Sequence, residues 1–230
     1  MPGPWTTEAM RDLLTSIHGA APHLAMGCEA AASEPYIPHL PFNDNRFLLA
    51  WGIGGKPVPM YAYLYHEYLN NFMGNQCGIM WTFNDHENIT ESLLYRLAYS
   101  YAAGDMGTLI ITDDGRITQG WCDQKLEVFP DQEQVTTLVR NLNALRRGQG
   151  KKYLHQGRML APHPVEGAGT FTLERTNPAS EVVIPRVVTS RWQAQDGDVA
   201  QVLINWTNQP IRCRVQDRAV EIPALNAVLI

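Results

Sequence analysis

Two short apolar runs that each stop at ionisable side chains constrain this chain more than anything else in it. Leu24 to Cys28 ends at Glu29, and Val58 to Tyr65 ends at His66 and Glu67. Each run is too short for a typical helix, and the second alternates Tyr61, Tyr63 and Tyr65, an aromatic period of two, so both are expected to be strands. Two strands that end in ionisable groups predict one shared site. Between them a connection through Pro35, Pro38 and Pro41 carries Asn43, Asp44 and Arg46 and closes on Gly52-Ile-Gly-Gly55. A decorated loop of that length is uncommon inside a compact domain unless it serves a function.

The flanking segments read as helices and short strands. Met10, Leu13, Leu14 and Ile17 form an apolar stripe at helical spacing, with Thr6 or Thr7 as cap and Gly19 as stop. Leu69 to Met73 is expected to continue as a short helix, and Gly78 to Phe83 forms a third apolar run, followed by Asn84 to Asn88. Thr90 is expected to cap a helix with Leu93, Leu94, Leu97, Ala98 and Tyr101 on its buried face. Thr108 to Thr112 and the turn Asp113-Asp114-Gly115 resemble a hairpin entry. Asp131 caps a second amphipathic helix bearing Val135, Leu138, Val139, Leu142 and Leu145, and Arg146-Arg147-Gly148 suits its negative end. From about Tyr153 the texture changes to short apolar runs separated by Asn-Pro, Asp-Gly and Asn-Gln-Pro turn signals, which predict an all-β domain.

Composition excludes several functions. The net charge of −5 and the lack of a Lys/Arg cluster interleaved with aromatics argue against a nucleic-acid groove. Cys28, Cys77, Cys122 and Cys213 are scattered without a Cys-x-x-Cys pair, so neither a zinc knuckle nor a disulfide framework is indicated, and they read as reduced core residues. No basic head with an apolar core opens the chain, and no stretch approaches the roughly 18 apolar residues of a membrane span. The expected location is the cytoplasm, unless a longer N-terminus carries a signal.

Other chemistries are weak. Asp85-His86-Glu87 with His66 and Glu67 invites a metal reading, but the second histidine of His-Glu-x-x-His is missing, and adjacent ligands on one short loop seldom all face one ion. No metal or cofactor is expected. There is no Gly-x-Ser-x-Gly elbow. A carboxylate beside Cys28 raises a thiol pKa instead of lowering it, so the buried-cysteine reading wins.

Gly27-Cys-Glu29-x-x-x-Ser-Glu34-Pro-Tyr, Pro59-Met-Tyr-x-Tyr-x-Tyr-His66-Glu67-Tyr, Leu145-Arg-Arg-Gly-x-Gly-Lys-x-Tyr-Leu-x-x-Gly-Arg-Met-Leu160 and Val202-Leu-Ile-Asn-Trp206 together resemble the C-terminal part of an uncharacterised family of glycoside-hydrolase-like barrel proteins. The resemblance covers nearly the whole chain, although no single motif in it is exclusive. It implies an α/β plus all-β fold, with residues 1–150 as the C-terminal portion of a (β/α)8 (TIM) barrel and 151–230 as an antiparallel β-sandwich. Leu24 to Cys28 would be the seventh strand and Val58 to Tyr65 the eighth. Residues up to 150 fall well short of the ~250 that a barrel takes, so about six βα units would have no counterpart, and the expectation is a fragment of a longer protein.

By the same likeness Glu29 takes the position of the catalytic nucleophile in retaining hydrolysis, which uses two carboxylates about 5–5.5 Å apart. The acid/base would come from an absent fourth strand. Glu34, His66, Glu67, Trp81 and Asp85 would shape the sugar site, with carbohydrate as the partner. Bland readings stand beside these: Glu34 as a turn cap, His66 and Glu67 as a structural pair, Trp51 and Trp81 as buried tryptophans. The alternative function is a non-catalytic carbohydrate-binding or scaffold role. Unpaired barrel edges would promote self-association or demand the N-terminal half.

Overall fold

The computed structural model describes residues 4–29, 32–45, 58–73, 89–118, 131–176 and 179–230. The stretches around Arg46 to Pro57 and Gly74 to Asn88, including Trp51, Trp81 and Asp85, lie outside the described residues.

Helix α1 (Pro4–Ala20) runs one residue past Gly19 and buries Leu14 against Ala32, Ile37, Leu40 and Leu69. Met10, Leu13 and Ile17 on the same stripe stay exposed. Next come strand β1 (Gly27–Cys28), a single 3-10 turn (Glu34–Tyr36) and strand β2 (Phe42–Asn45). Helix α2 (Met60–Tyr65), a second 3-10 turn (His66–Tyr68) and strand β3 (Asn70–Met73) follow. The three strands form a parallel sheet in the order β1-β2-β3, and Met106 extends it by bridging Phe72 in parallel.

Helices α3 (Ile89–Ala102), α4 (Gln132–Arg147) and the one-turn α5 (Lys151–Leu154) lead into the β half. Asp131 caps α4 by accepting the Gln134 amide at 2.9 Å, satisfying one of the donors a helix start leaves open. Thr90 lies within the first turn of α3, and its buried hydroxyl makes no hydrogen bond among the described residues. Strands β4 (Ile110–Ile111) and β5 (Ile117–Thr118) make a hairpin whose turn needs Gly115 at φ +83°.

The short runs after Tyr153 form β6 (Arg158–Leu160), β7 (Val165–Glu166), β8 (Thr170–Thr176), β9 (Ala179–Pro185), β10 (Val187–Gln193), β11 (Val199–Asn205), β12 (Ile211–Val215), β13 (Arg218–Ile222) and β14 (Asn226–Leu229). All pair antiparallel: β14-β11-β10-β6 in one sheet, β13-β12-β7 in a second, and β8-β9 as a hairpin. Val187, Leu203, Ile211, Cys213, Val215 and Ile222 fill the space between the two sheets. The other face of the four-stranded sheet carries α3 and α4, so Leu94, Leu97, Leu138 and Leu142 share one core with Trp192, Val202 and Trp206. Strand β11 is therefore buried on both faces from Ala200 onward, which explains the apolar run Val202-Leu203-Ile204.

The barrel expectation is overturned. Three short parallel strands and one bridge do not close, and no closed barrel is present among the described residues. The strand expected at Leu24 to Cys28 shrinks to two residues, and the one expected at Val58 to Tyr65 is helix α2. Its tyrosines at i and i+4 explain why: Tyr61 and Tyr65 meet edge to face with centroids 5.1 Å apart, while Ala62 and His66 share the buried side. The segment expected as a helix at Leu69 to Met73 is instead β3.

Candidate functional site

In the parallel sheet, register places Gly27 beside Phe42 and Phe42 beside Asn70; one step on, Cys28 pairs with Asn43 and Asn43 with Asn71. Side chains alternate along a strand, so Cys28, Asn43 and Asn71 form a polar row across one face. The Cys28 thiol donates to Asn43 Oδ1 at 2.8 Å, and Asn43 Nδ2 donates to the Leu40 carbonyl at 2.9 Å. Asn71 is buried, and neither end of its amide is hydrogen-bonded among the described residues. Burial and the nearby Asp44 carboxylate push the Cys28 thiol up, so it remains a protonated donor and not a nucleophile.

Glu29 follows β1 directly and is exposed. Asp44 is buried in β2, one residue past Asn43 just as Glu29 is one past Cys28. Register pairs the two strands as far as Cys28 and Asn43, so Glu29 leaves β1 beside the point where β2 continues into Asp44, and neighbouring strands lie about 4.8 Å apart in a sheet. Gly27 makes that closeness feasible: a Cβ there would sit 2.3 Å from the Phe42 carbonyl oxygen. No larger residue fits without moving the backbone that carries Glu29.

The other expected site residues go elsewhere. Glu34 is exposed in the 3-10 turn, where its carbonyl accepts the Ile37 amide at 3.3 Å. His66 and Glu67 precede Asn70, the first residue of β3, so they lie toward the opposite end of the sheet from Glu29. The shared site of Glu29 with His66 and Glu67 is not formed. Glu67 is exposed, whereas His66 is buried: its Nδ1 donates to the Gly157 carbonyl at 2.8 Å, and its ring packs 4.4 Å from that of Trp192. Burial, with Arg146 adding to it, holds the His66 pKa below its ordinary value. This imidazole is a structural group.

Asp44 and Asn43 belong to the site's strands, although Asn-Asp-Asn reads as loop by β-propensity. The signal available was Phe42 at their head, whose ring stacks on Phe72 of β3 at 4.9 Å. No group of three or more His, Cys, Asp or Glu side chains suited to a metal ion occurs among the described residues. No described helix is long and apolar enough to cross a membrane.

No protein-family model matches the chain, and neither does any curated protein or solved structure.

Proposed function

We propose that the chain acts in glycoside hydrolysis of the retaining type, with Glu29 as the nucleophile. The observation that carries this reading is the placement of an exposed carboxylate immediately past the carboxyl end of a parallel strand, the edge at which α/β sheets collect their ligands. The Glu29 carboxylate attacks the anomeric carbon as the bond to the leaving oxygen breaks, and a second carboxylic acid protonates that oxygen. Water, deprotonated by the second group, then cleaves the glycosyl ester and frees Glu29. The acid/base is assigned to a carboxylate outside the described residues, because Asp44 is buried within β2. The resemblance of the Gly27-Cys-Glu29 segment to glycoside-hydrolase-like proteins supports the same assignment. Cys28 and Cys213 form no disulfide among the described residues, which fits a reducing compartment, and the cytoplasm is the proposed location.

Dinitrophenyl glycosides test this reading, since their leaving group departs without protonation. The full chain is expected to release about one equivalent of dinitrophenolate in a burst with one sugar of a panel. The Glu29→Gln variant is expected to release none. An identical trace from both, or no release with any sugar, overturns hydrolysis. The burial of Asp44 favours one second reading, a carbohydrate-binding role without catalysis, which predicts saccharide binding with no burst.

A further inference from the structure

At the end of β3 far from Glu29, a groove of about 700 Å³ opens between Asn70, the α4–α5 turn and the turn joining β10 to β11. Its size falls within the ~300–1,000 Å³ range of small-ligand sites. Asn70, Gln149, Gln156 and Gln195 enter it from four separate segments, with Lys151 and His155 beside them. Gln195 Nε2 donates to Gln156 Oε1 across 3.4 Å, which ties two of the amides to each other across the groove.

This lining discriminates among ligands. A primary amide offers two donor hydrogens and an acceptor oxygen together, and so pairs with hydroxyls, which also donate and accept. Phosphate, with few protons to give, uses mainly the donor half of each amide. Neighbouring hydroxyls on a sugar ring satisfy both ends of each amide.

The charges divide in the same way. Lys152 is held by Asp196, which also lines the groove, at 3.1 Å and by Asp198 at 2.6 Å, so this cluster sets two carboxylates against one ammonium and offers an anion no available cation. Lys151 makes no ion pair among the described residues. Burial lowers the His155 pKa, and Arg146 and Lys151 lower it further. We propose that the groove binds an acidic saccharide, its hydroxyls held by the amides and a uronate carboxylate by Lys151. This site shares no residue with the one built around Glu29 and does not depend on it.

Calorimetric titration of the full chain with trigalacturonate, neutral galactotriose and inorganic phosphate tests the assignment. The acidic trisaccharide is expected to bind roughly tenfold tighter than the neutral one, the scale of one charge-assisted hydrogen bond. Lys151→Gln is expected to erase that preference while leaving the neutral sugar unaffected. The Gln156→Ala/Gln195→Ala double variant is expected to weaken both sugars. No saccharide binding, phosphate competing as well as the acidic sugar, or an unchanged preference in Lys151→Gln would each overturn it.

Discussion

The imidazole of His66 lies directly against the α-carbon of Gly104: a Cβ at that position would stand 2.2 Å from His66 Nε2 and 3.0 Å from Trp192 Cη2. Gly104 also holds φ at +87°, in the left-handed region that disfavours a side chain. Gly104→Ala therefore combines backbone strain with overpacking and is expected to cost about 2–4 kcal/mol. Urea unfolding monitored by tryptophan fluorescence checks it; an unchanged midpoint would mean that His66 has room to move.

The same histidine makes stability depend on pH. Burial lowers its folded-state pKa below the ordinary 6.5, so the unfolded chain binds the proton more readily than the folded one. Its contribution is complete above about pH 6.5 and is lost as pH falls toward the folded value. His155, lowered by burial and by Arg146 and Lys151, acts in the same direction. Unfolding midpoints are expected to drop from about pH 7 to about pH 5, with a shallower slope in His66→Gln. A parallel slope in the variant would remove His66 as a source.

Much of the helical and antiparallel structure was legible because its signals are local. Asp131 caps α4, Leu93 to Tyr101 give α3 its stripe, and Asp-Gly punctuation marks the hairpin at Gly115. The parallel sheet was not legible. Its middle strand is Phe42-Asn-Asp-Asn, a sequence with poor strand propensity that pairs because β1 and β3 flank it. The alternating tyrosines of α2 match period two and i, i+4 equally well, and only Ala62 and His66 on the buried side decide for helix. Glu29 was singled out correctly as a residue following a strand, but its supposed neighbours followed from a strand that is a helix.

Asn205, within the Val-Leu-Ile-Asn-Trp motif, ties β11 to the turn that follows it and to the end of β13. Its Nδ2 donates to the carbonyls of Gln209, Ile222 and Pro223 at 2.7, 3.2 and 3.0 Å, and its Oδ1 accepts from the Thr207 amide and hydroxyl. Asn205→Ala strands these groups in a buried setting and is expected to lose about 2–3 kcal/mol. Thermal unfolding measures the loss, and a change below about 0.5 kcal/mol would show that water replaces the amide.

Gly27 connects packing to the proposed chemistry. Its hydrogen faces the Phe42 carbonyl, so Gly27→Ala has to displace β1 and carry Glu29 with it. The variant is expected to remain folded, losing about 1–3 kcal/mol, while the dinitrophenolate burst falls at least tenfold. A full burst from a folded Gly27→Ala protein would separate Glu29 from the strand geometry assigned to it.

The most direct measurement is covalent trapping. A 2-deoxy-2-fluoro glycoside with a dinitrophenolate leaving group forms a glycosyl ester that hydrolyses slowly, and peptide mapping by mass spectrometry locates it. The account predicts a single fluoroglycosyl adduct on Glu29, absent from Glu29→Gln. An adduct on any other residue, or equal labelling of the variant, would contradict it.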